Sequence, residues 1–146
     1  MSDKFQIFNE KGESKVSSLI DPGIWEKIVQ DYGKTVSSIS FILLNDEDLK
    51  DINQRFLDHD WYTDVITFNY ADISDPVEGE IYCSIERIGE NANLFEVSLS
   101  EEINRVLIHG ILHLCGESDY SEESKERMRQ LENHYLEFVD VPRGTK

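Results

Sequence analysis

Two of the chain's four histidines stand four residues apart in the stretch "HGILHLCGESD", His109 to Asp119. On an α-helix such residues are about 40° apart around the axis and one turn apart along it, so both imidazoles can point at one ion. Gly116 fits the left-handed residue that ends a helix, and the reversal after it can bring Asp119 back beside the two rings. Two neutral imidazoles and a carboxylate suit zinc, and three protein ligands leave a fourth tetrahedral position for water, as a catalytic rather than a scaffolding ion requires. Taken alone, HxxxH also fits two rings hydrogen-bonded at the edge of a core. The apolar walls, the glycine at the turn and the acid beyond it favour the metal. His59 and His134 lack such surroundings and read as loop or surface residues.

The residue after the first histidine narrows the chemistry. Zinc peptidases place a glutamate there as general base, and here it is Gly110, so peptide hydrolysis would need Glu117 or Glu102 instead. Attack on a phosphodiester demands less, because a metal both lowers the pKa of water and neutralises charge on phosphoryl oxygens. Arg105, one turn before His109, either reaches a scissile phosphate or pairs with Glu101 or Glu102, and the surface ion pair is the favoured reading. A two-histidine, one-carboxylate set also matches iron oxygenases, but their ligands normally come from other element types.

The elements that must hold these residues are legible in outline. The motif helix starts at Ser98 or Ser100 and runs to Cys115, with Ile103, Val106, Leu107, Gly110, Ile111 and Leu114 on one apolar face. Ser98 with Glu101 forms a capping-box pattern. Upstream, "KFQIF" alternates as a short strand. Asp21 and Pro22 read as the N-cap and first residue of a helix that carries Ile24, Trp25, Ile28, Val29 and Tyr32 and stops at Gly33. "TVSSISFILLN" is a strand ending at Asn45, which caps a helix buried through Leu49, Ile52 and Phe56. "TDVITFNY" and "GEIYCSI" are strands joined by turn-rich residues, 86–96 read as helical, and a last helix runs from about Ser121 to Phe138 with Met128, Leu131 and Tyr135 inward.

Composition sets the limits. With 14 Lys and Arg against 30 Asp and Glu the formal charge is −16, which disfavours nonspecific attraction to nucleic acid or anionic membrane, so a polyanion must be met by local contacts. Cys83 and Cys115 form no CxxC pair and fit a reducing cytoplasm. No signal peptide or membrane span is expected. A chain of 146 residues is one domain's worth, so 1–146 is taken as a single domain.

The segment "IHGILHLCG" resembles the HGxLHLxGxxH signature of the YbeY family, bacterial metal-dependent endoribonucleases of ribosomal RNA maturation. "INQRFLDHDWYTDVITF" and "GEIYCSIERI" resemble that family's preceding segments, in the same order. The resemblance implies metal binding by His109, His113 and Asp119, the last standing where the family most often has a third histidine. Leu57 stands where the family usually has an arginine for the substrate phosphate. Arg55, Arg87 and Arg105 are the candidate substitutes. Asp64, Thr63 and Asn53 fit either turn and capping chemistry or a role in the cleft.

The expectation is therefore an α+β fold, a small mixed β-sheet packed against helices, zincin-like with the motif helix central. The expected function is a zinc-dependent endoribonuclease with one ion per chain, with Glu117 and Arg105 as candidate catalytic residues. Its substrate would be single-stranded ribosomal RNA in the cytoplasm, with the small ribosomal subunit or assembly proteins as partners. The rivals are a non-catalytic ribosome-assembly factor with a structural metal, closed by Cys115 as the nearby thiol, and a metallopeptidase.

Overall fold

A computed structural model describes residues 4–9, 18–21, 23–57, 64–72 and 74–139. In chain order the elements are β1 (Phe5–Asn9), α1 (Ile24–Asp31), β2 (Val36–Leu44), α2 (Asp46–Leu57), β3 (Val65–Asn69), β4 (Val77–Ser84), α3 (Ile85–Leu94), α4 (Leu99–Leu114) and α5 (Glu122–Leu136). The four strands make one mixed sheet in the order β1-β2-β4-β3. β1 and β4 run parallel to β2, and β3 runs antiparallel to β4 and forms one edge. This is the mixed-sheet α+β architecture expected from the sequence.

The motif helix α4 is the centre of the packing. Its residues 102–104, 106–108, 110–112 and 114 are all buried, because the sheet, α1, α3 and α5 each pack against a different side of it. Two glycines set its distance from the sheet. A Cβ on Gly110 would lie 2.8 Å from two atoms of the fully buried Ile81 side chain on β4. A Cβ on Gly79 would meet the Leu114 side chain and would lie 2.6 Å from the Phe68 backbone oxygen. The helix is thus seated where two strand and helix positions carry no side chain.

The caps follow local sequence chemistry. Ser98 accepts from the Glu101 amide at the start of α4, and Ser121 with Ser124 makes a full capping box at the start of α5. At α1 the structure differs from the expectation. The N-cap is Gly23 rather than Asp21, because the Asp21 carboxylate accepts from the Gly23 amide in an Asx turn that delays the helix by two residues. Pro22 lies outside the described residues. The stripe of α2 also differs: Leu49 is fully buried, but Phe56 is 66% exposed and Asn53 is buried in its place. Phe56 instead meets the edge of Phe68, which in turn meets Tyr82 on the sheet face away from α4.

The glycine contacts define a stability test. Gly79→Ala forces its methyl against a backbone oxygen that cannot rotate away, so it should cost about 1–3 kcal/mol in urea unfolding. A variant as stable as the wild type would mean that α4 is not held at this distance.

Candidate metal centre and its cleft

His109 and His113 occupy the one stripe of α4 that the surrounding elements leave half open. Gly116, at φ 107°, reverses the chain after α4, a conformation that only glycine adopts without strain. The reversal returns Asp119 to the two rings. The two imidazole Nε2 atoms are 3.0 Å apart, and Asp119 Oδ2 is 3.7 Å from that of His109 and 3.5 Å from that of His113. Donor atoms about 2.0–2.1 Å from a tetrahedral zinc stand roughly 3.3 Å from one another. The triangle of side chains has that size.

The other ring nitrogens explain why the pair converges. His109 Nδ1 lies 2.7 Å from Glu132 Oε2, and His113 Nδ1 lies 2.9 Å from the Glu117 backbone oxygen. A carboxylate and a carbonyl only accept, so both Nδ1 atoms carry the proton and the neutral rings turn their Nε2 lone pairs toward each other. Two lone pairs and a carboxylate at these distances repel unless a cation sits among them. Burial disfavours charge on His109, but the hydrogen bond and charge of Glu132, with Asp119 and Asp64, outweigh it and hold its pKa above the usual imidazole value. The donor set therefore fits a bound metal ion. Among the described residues no fourth His, Cys or acidic side chain joins the group. Cys115 is buried in the apolar core, where burial pushes its thiol up to about 11.

Glu132 is the residue that sequence reasoning missed. It is buried at the α4–α5 contact, orients His109, and takes Arg105 Nη1 at 3.1 Å. Its signal was present: it falls on the inward stripe of α5 between Met128 and Tyr135, and an acid on such a stripe normally has a buried partner. Arg105 lines the cleft but is held by Glu132 and by Asn133 Oδ1 at 2.8 Å, with Glu101 only at 4.0 Å. The expected pair with Glu101 is present but long, and the shorter contacts run across two helices to Glu132 and Asn133.

The Glu117 side chain turns away from the cleft. Its carboxylate accepts from Tyr32 Oη at 2.6 Å and from two Arg127 nitrogens at 3.1 Å. Those Arg127 hydrogen bonds, against a smaller opposing effect of burial, hold its pKa below the usual range, which makes it a poor proton acceptor. Its backbone oxygen, not its carboxylate, serves the site.

A cleft of about 570 Å³ opens beside the three donors, walled by α2, β3, α4 and α5. Asn53, Leu57 and Asp64 all line it, as do Glu102, Arg105 and Glu132. Of the three arginines weighed as substitutes at Leu57, only Arg105 is there. Arg87 pairs with Asp46 at 2.8 Å and Arg55 with Asp51 at 3.2 Å. Thr63 and His59 lie outside the described residues, and His134 is exposed on α5, beside Tyr135 and Phe138.

The family model described as Endoribonuclease YbeY matches residues 3–140. The chain belongs to the YbeY endoribonuclease family. A Christiangramia forsetii member of it is 44% identical over 116 residues, covering 80% of each chain. One from Porphyromonas gingivalis is 38% identical over 125 residues, covering 85% of this chain and 82% of the relative. The solution structure of TM1509 from Thermotoga maritima superposes with a TM-score of 0.68 at 30% identity, over 97% of this chain and 99% of that one. Membership settles the reaction class in favour of the endoribonuclease over the peptidase, and Gly110 agrees: the position after His109 faces Ile81 in the core, where no glutamate fits.

Two outcomes test the supporting contacts. Glu132→Gln should weaken metal binding by about tenfold in chelator competition while keeping the helical circular dichroism; unchanged affinity would remove Glu132 from the site. Because the Glu117 pKa is lower folded than unfolded, its tie to Arg127 stabilises the fold above the unfolded value and is lost as pH falls through the folded one. Glu117→Gln should therefore flatten the loss of stability below about pH 4.

Proposed function

We propose that the protein is a zinc-dependent endoribonuclease that cuts single-stranded regions of ribosomal RNA in the cytoplasm, with the small ribosomal subunit or its assembly proteins as partners. The observation that carries this reading is the triangle of His109, His113 and Asp119 donor atoms on the wall of a cleft, in a chain of this family. Among the described residues no helix is long and apolar enough to cross a membrane.

In this reading His109, His113 and Asp119 hold one ion per chain. When bound, the ion acts as a Lewis acid at the phosphoryl group and lowers the pKa of water. Glu132 and the Glu117 carbonyl keep both rings in the tautomer that binds. Asp119 in place of histidine lowers the charge of the site by one unit and so makes the ion a weaker electrophile. Arg105 contributes positive charge beside the reacting phosphate, with its guanidinium already oriented by Glu132 and Asn133. Leu57 leaves one wall of the cleft without a cation.

Protein purified without chelator should contain about one zinc per chain, and His113→Ala should lose it in elemental analysis. Asp119→His should keep the metal. The zinc-loaded protein should cut single-stranded RNA weakly and in a salt-dependent way, since −16 of net charge leaves only local contacts to hold a polyanion. Leu57→Arg should raise cleavage without changing metal content. Equal cleavage by wild type and His109→Ala would assign the activity to a contaminant and leave the assembly-factor reading in its place.

A further inference from the structure

The metal centre is open on a second side. Beyond the cleft bounded by α2 and β3, a smaller hollow of about 290 Å³ lies between α3, α4 and α5. It shares Arg105, His109 and Asp119 with the cleft, so the two spaces meet at the metal donors. A strand laid across the donors passes from one into the other.

The hollow differs from the cleft in its charge. Arg105 is the one described Lys or Arg lining the cleft, whereas Lys125 and Arg129 of α5 line the hollow as well. They stand one helical turn apart, and Asn133, one turn further on the same stripe, holds Arg105 Nη2 at 2.8 Å. Arg129 is exposed and has no hydrogen bond or ion pair among the described residues. Lys125 has a 3.9 Å contact with Glu122, both side chains open to water, and such a pair contributes little. In a chain with 30 acidic residues, an arginine without an acidic partner is available to an outside anion.

The acids of the hollow already have work or partners. Glu132 is shared by Arg105 and His109, Asp119 belongs to the metal centre, and Asp64 accepts from Asn91 Nδ2 at 3.4 Å. Burial pushes the Glu102 pKa up to about 7, with Arg105 opposing and Asp64, Glu132 and Glu101 adding to the rise, so near neutrality it carries only part of a charge. Across from the two cations stands Phe95, the C-cap of α3, which lines the hollow and is 55% exposed. Cations that follow a backbone and a ring that stacks a base are the pairing by which proteins hold single strands.

We propose that this hollow is a binding subsite for the RNA strand next to the point of cleavage, with Lys125 and Arg129 on its phosphates and Phe95 stacked on a base. The strand then runs over the metal centre from the cleft of α2 and β3 toward α3 and α5. Helix α5 supplies there the positive charge that the cleft lacks at Leu57. The proposal rests on the RNA-cleaving reading above.

The test follows binding of a labelled single-stranded RNA of about twelve nucleotides to zinc-loaded full-length protein. Binding is read by fluorescence anisotropy over a range of salt, with RNA integrity checked on a gel. Lys125→Gln/Arg129→Gln should weaken binding about tenfold at low salt. It should also make the slope of log K against log salt shallower by about 1.4, for two phosphate contacts at about 0.7 each on a single strand. Lys4→Gln/Lys27→Gln changes the net charge equally, ahead of β1 and on α1 at residues that line neither space, and should keep the wild-type slope. Phe95→Leu should weaken binding about fivefold, and Phe95→Trp should restore it. A wild-type slope in Lys125→Gln/Arg129→Gln, or wild-type affinity in Phe95→Leu, overturns the subsite and leaves the RNA reading standing. Displacement by polyglutamate as effective as by unlabelled RNA of equal charge overturns the assignment of the hollow to nucleic acid. No RNA binding by wild type at any salt overturns the RNA reading and the subsite with it.

Discussion

The seating of α4 against β4 is the constraint on which the rest of the structure depends. Gly110 lies on Ile81, and Gly79 lies under Leu114, so helix and strand approach more closely than two side chains would allow. That approach lets α1, α3 and α5 close around the remaining faces of α4. Only one stripe is left half open, and it carries Arg105, His109 and His113. A residue type that reads as a weakness in a helix is here what makes the helix central, because the lost helix propensity, about 1 kcal/mol, is offset by the contact it permits.

Glu132 joins packing to chemistry. Buried between α4 and α5, it accepts from His109 and Arg105 at once. A buried carboxylate is tolerable only with such partners, and the same hydrogen bonds fix one ligand tautomer and one guanidinium. The turn at Gly116 does the equivalent work on the other side, bringing the Glu117 carbonyl to His113 and Asp119 to both rings. The Tyr32 and Arg127 contacts of the Glu117 side chain hold that turn to α1 and α5. The three donor atoms are therefore placed by backbone reversal and by neighbouring acceptors, not by the histidine spacing alone.

The electrostatics of the cleft follow from the same arrangement. Among the described residues Arg105 is paired with Glu132, Leu57 carries no charge, Asp64 and Glu102 line the cleft, and Lys125 and Arg129 line the opening beside it. Charge density at one or two points, rather than a broad basic face, is what this fold can offer a phosphate.

Much was legible in the sequence because it rests on local periodicity. The described strands and helices, the Ser98 cap, the left-handed Gly116 and the pairing of His109 with His113 follow from spacings of two, three and four residues. What the sequence could not supply is any relation between elements distant in the chain. On α2 it is Asn53 rather than Phe56 that is buried. Arg105 makes its shorter contact with Glu132, 27 residues away, rather than with its helical neighbour Glu101. Glu117 turns its carboxylate to Tyr32, 85 residues back, and so leaves the chemistry for which its place in the motif suggested it. The sequence by itself determined which residues could bind a metal and which element would carry them. Only the tertiary structure decided what surrounds them, because burial and side-chain partners come from contacts across the fold, which no spacing along the chain encodes.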